Sequence, residues 1–386
     1  MERENIDFDA NRLRRLRSGL TRWYARNARD LPWRRTGDAY AIWISEIMLQ
    51  QTTVAAVIPY FERFLKSFPT IQRLGQAAED EVLRHWEGLG YYSRARNIHK
   101  TARQLAAEEG GRFPESTEEL VQLPGIGRYT AGAIASFAFD VRAPIVEANT
   151  LRLYSRLLGY DGDPRSTGGQ RLMWEFAERI LPRSHVGRFN QALMELGGTL
   201  CTPKEPGCDA CPVRSCCAAF AQGRQAEIPV RARRPEVTAV TEACVAIRDA
   251  GEYLLLKRSE GQRWAGMWDF PRFELTGAEP IDANGDGWVL AARQRGEVSK
   301  TVAELVALDV DVKGVLTRIR HSVTRYRITL YCVEADLRSG SRGEDCDERR
   351  WFNPGEFSGV PLSVTGRKLA KQLLDLESRR STDDGG

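Results

Sequence analysis

Thiols carry the most specific chemistry in the chain. Five of the eight cysteines fall between Cys201 and Cys217, and Cys201-x6-Cys208-x2-Cys211-x5-Cys217 supplies four thiolates within one short loop. Four such ligands are enough for a tetrahedral zinc ion or a four-iron cluster. Structural zinc sites more often use two close pairs. Only one Cys-x2-Cys pair is present, so spacing favours iron–sulfur and leaves zinc, and metal-free thiols, open. Pro203, Pro206, Gly207 and Pro212 keep the stretch out of helix and let it wrap a ligand. Cys216 is left over as a spectator. The four histidines, His85, His99, His185 and His321, include no His-Glu-x-x-His pair, which argues against a histidine-built zinc hydrolase.

A second candidate lies at Pro124-Gly125-Ile126-Gly127, between a helix ending at Glu119–Leu123 and one beginning at Arg128. Glycines at 125 and 127 allow positive φ and close approach, so backbone N–H groups at the helix start can point at a phosphate. An ordinary turn between two helices satisfies the same pattern.

These residues need a scaffold, and 386 residues suffice for two or three domains with cores of their own. Lys and Arg number 56 against 52 for Asp and Glu, a net charge of +4 that neither demands nor excludes a polyanionic partner. No apolar run is long enough to span a bilayer, and Glu2, Arg3 and Glu4 open no signal-like segment. The expectation is a soluble cytoplasmic protein, in which clustered cysteines ligate metal more often than they form disulfides. Apolar residues recur at helical spacing (Trp43, Ile47, Ala55, Ile58; Leu151, Tyr154, Leu157, Leu158) and predict an all-α domain over residues 9–222, with the cysteine loop at 201–217. A basic stretch, 223–238, reads as a linker. Residues 239–377 read as an α+β domain: a hairpin from Cys244–Ile247 and Tyr253–Leu256, a strand at Tyr326–Val333 and a helix at Leu369–Leu376. The tail 378–386 is expected to be disordered.

Taken together, Trp43-Ile44-Ser45-Glu46-Ile47-Met48-Leu49-Gln50-Gln51-Thr52, Trp86-Glu87-Gly88-Leu89-Gly90-Tyr91-Tyr92-Ser93-Arg94, Leu123-Pro124-Gly125-Ile126-Gly127-Arg128-Tyr129 and the four-cysteine loop resemble the MutY adenine DNA glycosylases. These belong to the helix-hairpin-helix base-excision superfamily. The resemblance is dense from Arg29 to Cys217. It implies one four-iron, four-sulfur cluster on Cys201, Cys208, Cys211 and Cys217. Gly266-Met267-Trp268-Asp269-Phe270-Pro271 and Arg350-Trp351-Phe352 resemble, more loosely, the MutT-like (Nudix-fold) domain that follows in that family. No Arg-Glu-x-x-Glu-Glu helix is present, so that domain is expected to read DNA and not to hydrolyse nucleotides.

The resemblance implies removal of adenine mispaired with 8-oxoguanine or guanine in duplex DNA, by flipping the base out of the helix. Glu46 takes the acid position. Its apolar helix would raise its pKa and keep a proton available for adenine N7. Glu147 takes the carboxylate position beside the oxocarbenium-like sugar, with Asn149 orienting it. Tyr129 stands where endonuclease III-like enzymes carry a nucleophilic lysine. A tyrosine forms no Schiff base, so a monofunctional enzyme leaving an abasic site is expected. By resemblance Arg29, Trp33, Arg34, Leu49 and Gln191 surround adenine, Gln51 probes the helix near the opposite base, Tyr91 matches an intercalating residue, and Gly125, Gly127 and Arg128 hold the DNA backbone. Arg94, Arg96, Lys100 and ten arginines in the first 35 residues extend a basic surface.

Two positions depart from the family. Val-Asp-Gly-Asn is replaced by Val146-Glu147-Ala148-Asn149, which lengthens the carboxylate side chain by one bond, about 1.5 Å. Phe-Ser-His is replaced by Val323-Thr324-Arg325, which predicts weaker discrimination of 8-oxoguanine from guanine. Two other readings compete: an endonuclease III-like enzyme on oxidised pyrimidines, and a mismatch-binding protein without turnover. The expected partner is duplex DNA containing an adenine mispair, bound by a monomer with no membrane association and, in a bacterium, associated with the nucleoid.

Overall fold

The computed structural model describes residues 8–108, 110–230, 236–275, 281–282, 288–339 and 342–383. They pack as two compact units. One holds the described residues up to Ala77 and from Asn97 to 230, and the other holds Ala78–Arg96 and the described residues from 236 onward. The expectation of a single helical domain over 9–222 is therefore corrected for Ala78–Arg96. Asp80 accepts from Lys257 Nζ (2.8 Å) and Trp268 Nε1 (3.1 Å), and Glu87 accepts both arms of the Arg367 fork (2.7 and 2.8 Å). Charge-assisted bonds this remote in sequence leave no trace in local periodicity.

The helices are α1 (Ala10–Asn27), α2 (Ala39–Leu49), α3 (Val54–Ser67), α4 (Ile71–Gln76), α5 (Glu79–Trp86), α6 (Ser93–Glu108), α7 (Thr117–Leu120), α8 (Arg128–Phe139), α9 (Ala148–Leu158), α10 (Thr167–Ile180), α11 (Val186–Thr199), α12 (Ala218–Ala221), α13 (Ala292–Val306) and α14 (Val364–Asp383). In the first unit, Leu16 and Leu20 of α1 meet Leu153 and Leu157 of α9, Phe176 of α10, and Leu193 and Leu196 of α11 in one core. Helix α2 differs from these amphipathic helices. Every residue from Tyr40 to Met48 is buried, so it runs through the interior and takes Glu46 with it. Asp9 and Asp38 cap α1 and α2 by accepting from Arg12 N (2.7 Å) and Tyr40 N (3.1 Å).

The second unit is built on a sheet of β1 (Thr238–Asp249), β2 (Glu252–Lys257), β3 (Trp268–Asp269), β4 (Arg272–Glu274), β7 (Asp309–Val323), β8 (Tyr326–Ser339) and β9 (Arg349–Phe352). Strands β5 (Ile281–Asp282) and β6 (Trp288–Val289) form a separate pair. The main path is β3-β2-β1-β8-β7, with β1 and β8 parallel and the other pairs antiparallel. The expected hairpin is present with Arg248 opposite Tyr253, and the expected strand at Tyr326 runs on to Ser339. Strand β7 and helix α13 go beyond the expected elements, although Val298, Val302 and Val306 recur at four-residue spacing in α13 and Asp309 to Val312 alternate in β7.

The tail expectation is corrected: residues 378–383 continue α14, and 384–386 lie outside the described residues. Glu377 accepts from Tyr253 Oη (2.8 Å) and pairs with Arg248 (3.0 Å), while Arg380 pairs with Glu334 (2.6 Å), so tertiary ion pairs extend the helix. The linker also begins later than expected. Ile228 is buried, and its carbonyl accepts from Arg156 Nε (2.9 Å). Residues 231–235 lie outside the described residues. Among the described residues no helix is long and apolar enough to cross a membrane.

Candidate active site

The first unit contains a cavity of about 830 Å³ whose walls include Glu46, Tyr129, Glu147 and Asn149, together with Arg29, Trp33, Arg34, Leu49, Gln51 and Gln191. Ten residues drawn from distant parts of the sequence thus meet at one place.

Glu46 is 4% exposed and accepts a 2.5 Å hydrogen bond on Oε2 from the Tyr129 hydroxyl. Burial pushes its carboxyl up, the Tyr129 bond pulls it down, and the charge of Glu147 pushes it up again, leaving it at about 7. The carboxyl is therefore about half protonated near neutrality. Burial, and then the charge of Glu46, raise the Tyr129 hydroxyl well above its ordinary range, so it stays protonated as a donor. Its oxygen also lies 3.6 Å from Met194 Sδ.

Glu147 is the N-cap of α9. Its Oε2 accepts from Asn149 N and its Oε1 from Thr150 N, both at 2.8 Å, and Thr150 Oγ1 accepts from Glu147 N at 2.9 Å. This reciprocal capping box decides where the carboxylate sits. The helix N–H groups anchor both oxygens, so the carboxylate is held at the helix start, with Glu147 in extended backbone (φ −135°, ψ −178°). Burial raises its pKa, against the opposing pull of those two N–H bonds. The expectation that Asn149 orients this carboxylate needs correcting for its side chain. The Asn149 backbone N–H does so, while Oδ1 accepts from Arg152 Nη2 (2.9 Å).

Arg29 and Arg34 converge on Glu195. Arg29 donates through Nε (2.7 Å) and Nη2 (2.9 Å), and Arg34 through Nη2 (2.8 Å), to a carboxylate that is 1% exposed. Burial pushes the Glu195 carboxyl up, but the Arg29 and Arg34 hydrogen bonds outweigh it and hold the pKa below the usual value. Sequence reasoning missed Glu195. The available signal was a lone charge between Leu193 and Leu196 on the apolar face of α11, four residues after Gln191. Gln191 accepts on Oε1 from the Tyr24 hydroxyl (2.9 Å), which fixes the amide orientation. Trp33 is largely packed, edge-on against Phe61 at 5.4 Å.

The hairpin leads into α8 at Gly127. Gly125 has φ +75°, and a Cβ there would fall 2.6 Å from Asn97 Cβ, so glycine is required for folding. Gly127 is the N-cap of α8 with no side-chain cap, and a Cβ there meets nothing within 4 Å. The first-turn N–H groups of α8 are left without a capping side chain. Arg128 stacks on Trp174 at 3.9 Å. Other expected DNA-facing cations are used internally: Arg94 is buried and donates to the Leu89 and Gly90 carbonyls, Arg17 donates to the Ile180 and Leu181 carbonyls, and Arg12 donates to that of Cys216.

The four cysteines line one small cavity with Leu153, Leu157, Leu200 and Arg156. Burial pushes the Cys211 thiol up to about 12 and raises those of Cys208 and Cys217, so thiolates here call for a cationic partner. Arg156 Nη1 donates to Cys201 Sγ at 3.2 Å. Among the described residues no three ligating side chains close on one metal ion, whereas four thiols around a shared cavity suit a cluster.

In the second unit, Thr324 and Arg325 form the two-residue turn between β7 and β8, with Val323 opposite Tyr326. A cavity of about 480 Å³ is lined by Thr324, Val323, His321 and Tyr91, the last 48% exposed. Arg325 is not among its walls. It donates to the Tyr326 hydroxyl (3.1 Å). Gln51, Tyr91 and Thr324 hold left-handed backbone (φ 57°, 48° and 51°), as do Asp140, His185, Ala250, Trp264 and Ala307 elsewhere.

Comparison with known proteins decides the family. Residues 44–179 match the family described as HhH-GPD superfamily base excision DNA repair protein, and residues 243–372 match the NUDIX domain. A rat protein named Adenine DNA glycosylase is 44% identical over 421 residues, covering 96% of this chain and 79% of the rat protein. The chain belongs to the adenine DNA glycosylase family. The mouse adenine DNA glycosylase is 42% identical over 265 residues, which span 66% of this chain and 51% of the mouse protein, about half its length. The helical part of this adenine DNA glycosylase family member is also similar to a thermostable thymine-DNA glycosylase structure, at TM-score 0.51 and 28% identity, covering 55% of this chain and 98% of that one.

Proposed function

We propose that the protein hydrolyses the bond between C1′ and N9 of adenine mispaired with 8-oxoguanine or guanine in duplex DNA, leaving an abasic site. One observation carries this: a buried carboxyl with a pKa of about 7, Glu46, shares a cavity with a second carboxylate and no amine nucleophile. Glu46 gives its proton to N7 of the flipped adenine, and Tyr129 stabilises the carboxylate that remains. As the bond to N9 lengthens, C1′ gains positive charge, and Glu147 supplies the negative charge beside it. Water adds to C1′ and passes its proton to the Glu46 carboxylate, which restores the acid, and adenine leaves carrying the proton it received from Glu46. Tyr129 has no amine for C1′, so the strand is not cut. Glu195 holds Arg29 and Arg34 along the cavity wall, where their remaining N–H groups meet the edge of the base or the adjoining backbone. In the second unit, Thr324 and Tyr91 face the base opposite adenine.

Cys201, Cys208, Cys211 and Cys217 would hold one four-iron, four-sulfur cluster. When bound, it supplies a rigid covalent tie that closes the loop after α11 and allows one-electron exchange. Gly127 and the first turn of α8 grip a DNA phosphate.

The test is adenine release from a duplex with adenine opposite 8-oxoguanine, read with and without alkali. Strand breaks only after alkali support the proposal. Breaks without alkali indicate an endonuclease III-like reaction, and tight binding with no product indicates a sensor without turnover.

A further inference from the structure

The cavity of about 480 Å³ in the second unit has a wall that the resemblance does not supply: Trp264. Three observations single it out. Its backbone is left-handed (φ 60°), like those of Tyr91 and Thr324 across the same cavity. A bulky residue keeps that conformation only where its surroundings over-determine it. The indole is also braced. Arg272 Cζ lies 4.4 Å and Arg263 Cζ 5.4 Å from its ring, and both guanidiniums are tied to Glu242, which is 2% exposed; the Arg272 Nε bond is 2.5 Å. The ring lies against this ion-pair network, with the His321 ring 6.2 Å away at 40°. Finally, the hairpin turn brings Val323 to the cavity, an aliphatic side chain with no stacking face, and Tyr92 is buried. Half-buried Trp264 and exposed Tyr91 are thus the large aromatic walls that are not fully buried among the described residues, with Arg96 and Lys368 at the same cavity. Aromatic faces set among cations suit a planar base on an anionic backbone.

We propose that Trp264 is a specificity-determining residue that stacks on a purine opposite the adenine and takes the place of an aromatic residue in the hairpin turn. This rests on the reading that the Thr324 turn faces that base.

The test uses the full, cluster-loaded chain with Trp264→Ala and Trp264→Phe. Affinity is measured for duplexes carrying non-hydrolysable 2′-fluoroadenosine opposite 8-oxoguanine, guanine or an abasic site. Stacking predicts that Trp264→Ala lowers the ratio of base-bearing to abasic affinity by about tenfold, and that Trp264→Phe restores most of it. An unchanged ratio overturns the proposal, as does an equal loss on all three duplexes, which would mark a scaffold role. If the alanine protein does not fold, Trp264→Leu, large but without an aromatic face, gives the same reading. Adenine release by the unmodified chain is followed in parallel. If it releases no adenine from any duplex, the glycosylase reading fails and this inference fails with it. If release is normal and the ratio does not move, only the role of Trp264 fails.

Discussion

Replacing Glu46 with Gln separates two consequences of burying an acid. The carboxyl is raised from its ordinary 4.5 to about 7, chiefly because burial disfavours its charged form. A folded-state pKa above the unfolded value means that the folded protein holds this proton more tightly. Stability is therefore favoured below pH 4.5 and lost as pH climbs towards 7. The interval corresponds to about 3 kcal/mol, most of which is lost between pH 5 and pH 8. Glutamine has similar volume, and its Oε1 can still accept from Tyr129, but it carries no charge. Glu46→Gln should thus abolish adenine release while keeping duplex binding, and should gain stability over the unmodified protein by roughly 2 to 3 kcal/mol on going from pH 5 to pH 8. Urea unfolding of both proteins at the two pH values, followed on the helical unit by far-UV circular dichroism, measures this difference. Equal stability differences at pH 5 and pH 8 would refute the claim that burial raises the pKa. Retained adenine release would refute the role of Glu46 as proton donor. In the unmodified enzyme, the same ionisation predicts single-turnover release that falls as pH rises through about 7.

Other consequences are open to direct measurement. Glu147→Asp should leave single-turnover release within a few-fold, since aspartate also caps helices and the N–H groups of Asn149 and Thr150 determine the carboxylate position; a hundredfold change would show that side-chain length matters more than the cap. Gly127→Ala should weaken duplex binding several-fold and alter the melting temperature little, because the added Cβ meets no protein atom; equal affinity would mean that no phosphate approaches there. Glu195→Gln removes the charge shared by Arg29 and Arg34 and should cost about 2 kcal/mol in chemical denaturation, less than a fully buried pair because Arg29 is 42% exposed. Borohydride added during reaction should trap no covalent protein–DNA adduct, since Tyr129 offers no amine, and a trapped adduct would overturn the monofunctional reading.

Several features were legible from residue types and spacing alone. The four-cysteine loop, the Gly125–Gly127 hairpin and Glu46 within an unbroken apolar helix are local patterns, and local patterns reflect backbone and helix physics that need no tertiary context. The two-unit plan was likewise visible as a change of period from helical to alternating. Other features depend on partners far along the chain. Asp80 and Glu87 draw Ala78–Arg96 into the second unit through Lys257, Trp268 and Arg367, and Glu377 and Arg380 extend a tail that composition marked as disordered. The basic front end looked uniform in sequence, yet Arg12, Arg17, Arg29 and Arg34 are occupied by carbonyls and by Glu195. The sequence by itself determined which chemical groups are present, including the carboxylate at 147. Tertiary structure alone decided where they act: a helix cap sets the position of that carboxylate, burial sets the proton affinity of Glu46, and Glu195 and Trp264 acquire meaning only from what surrounds them.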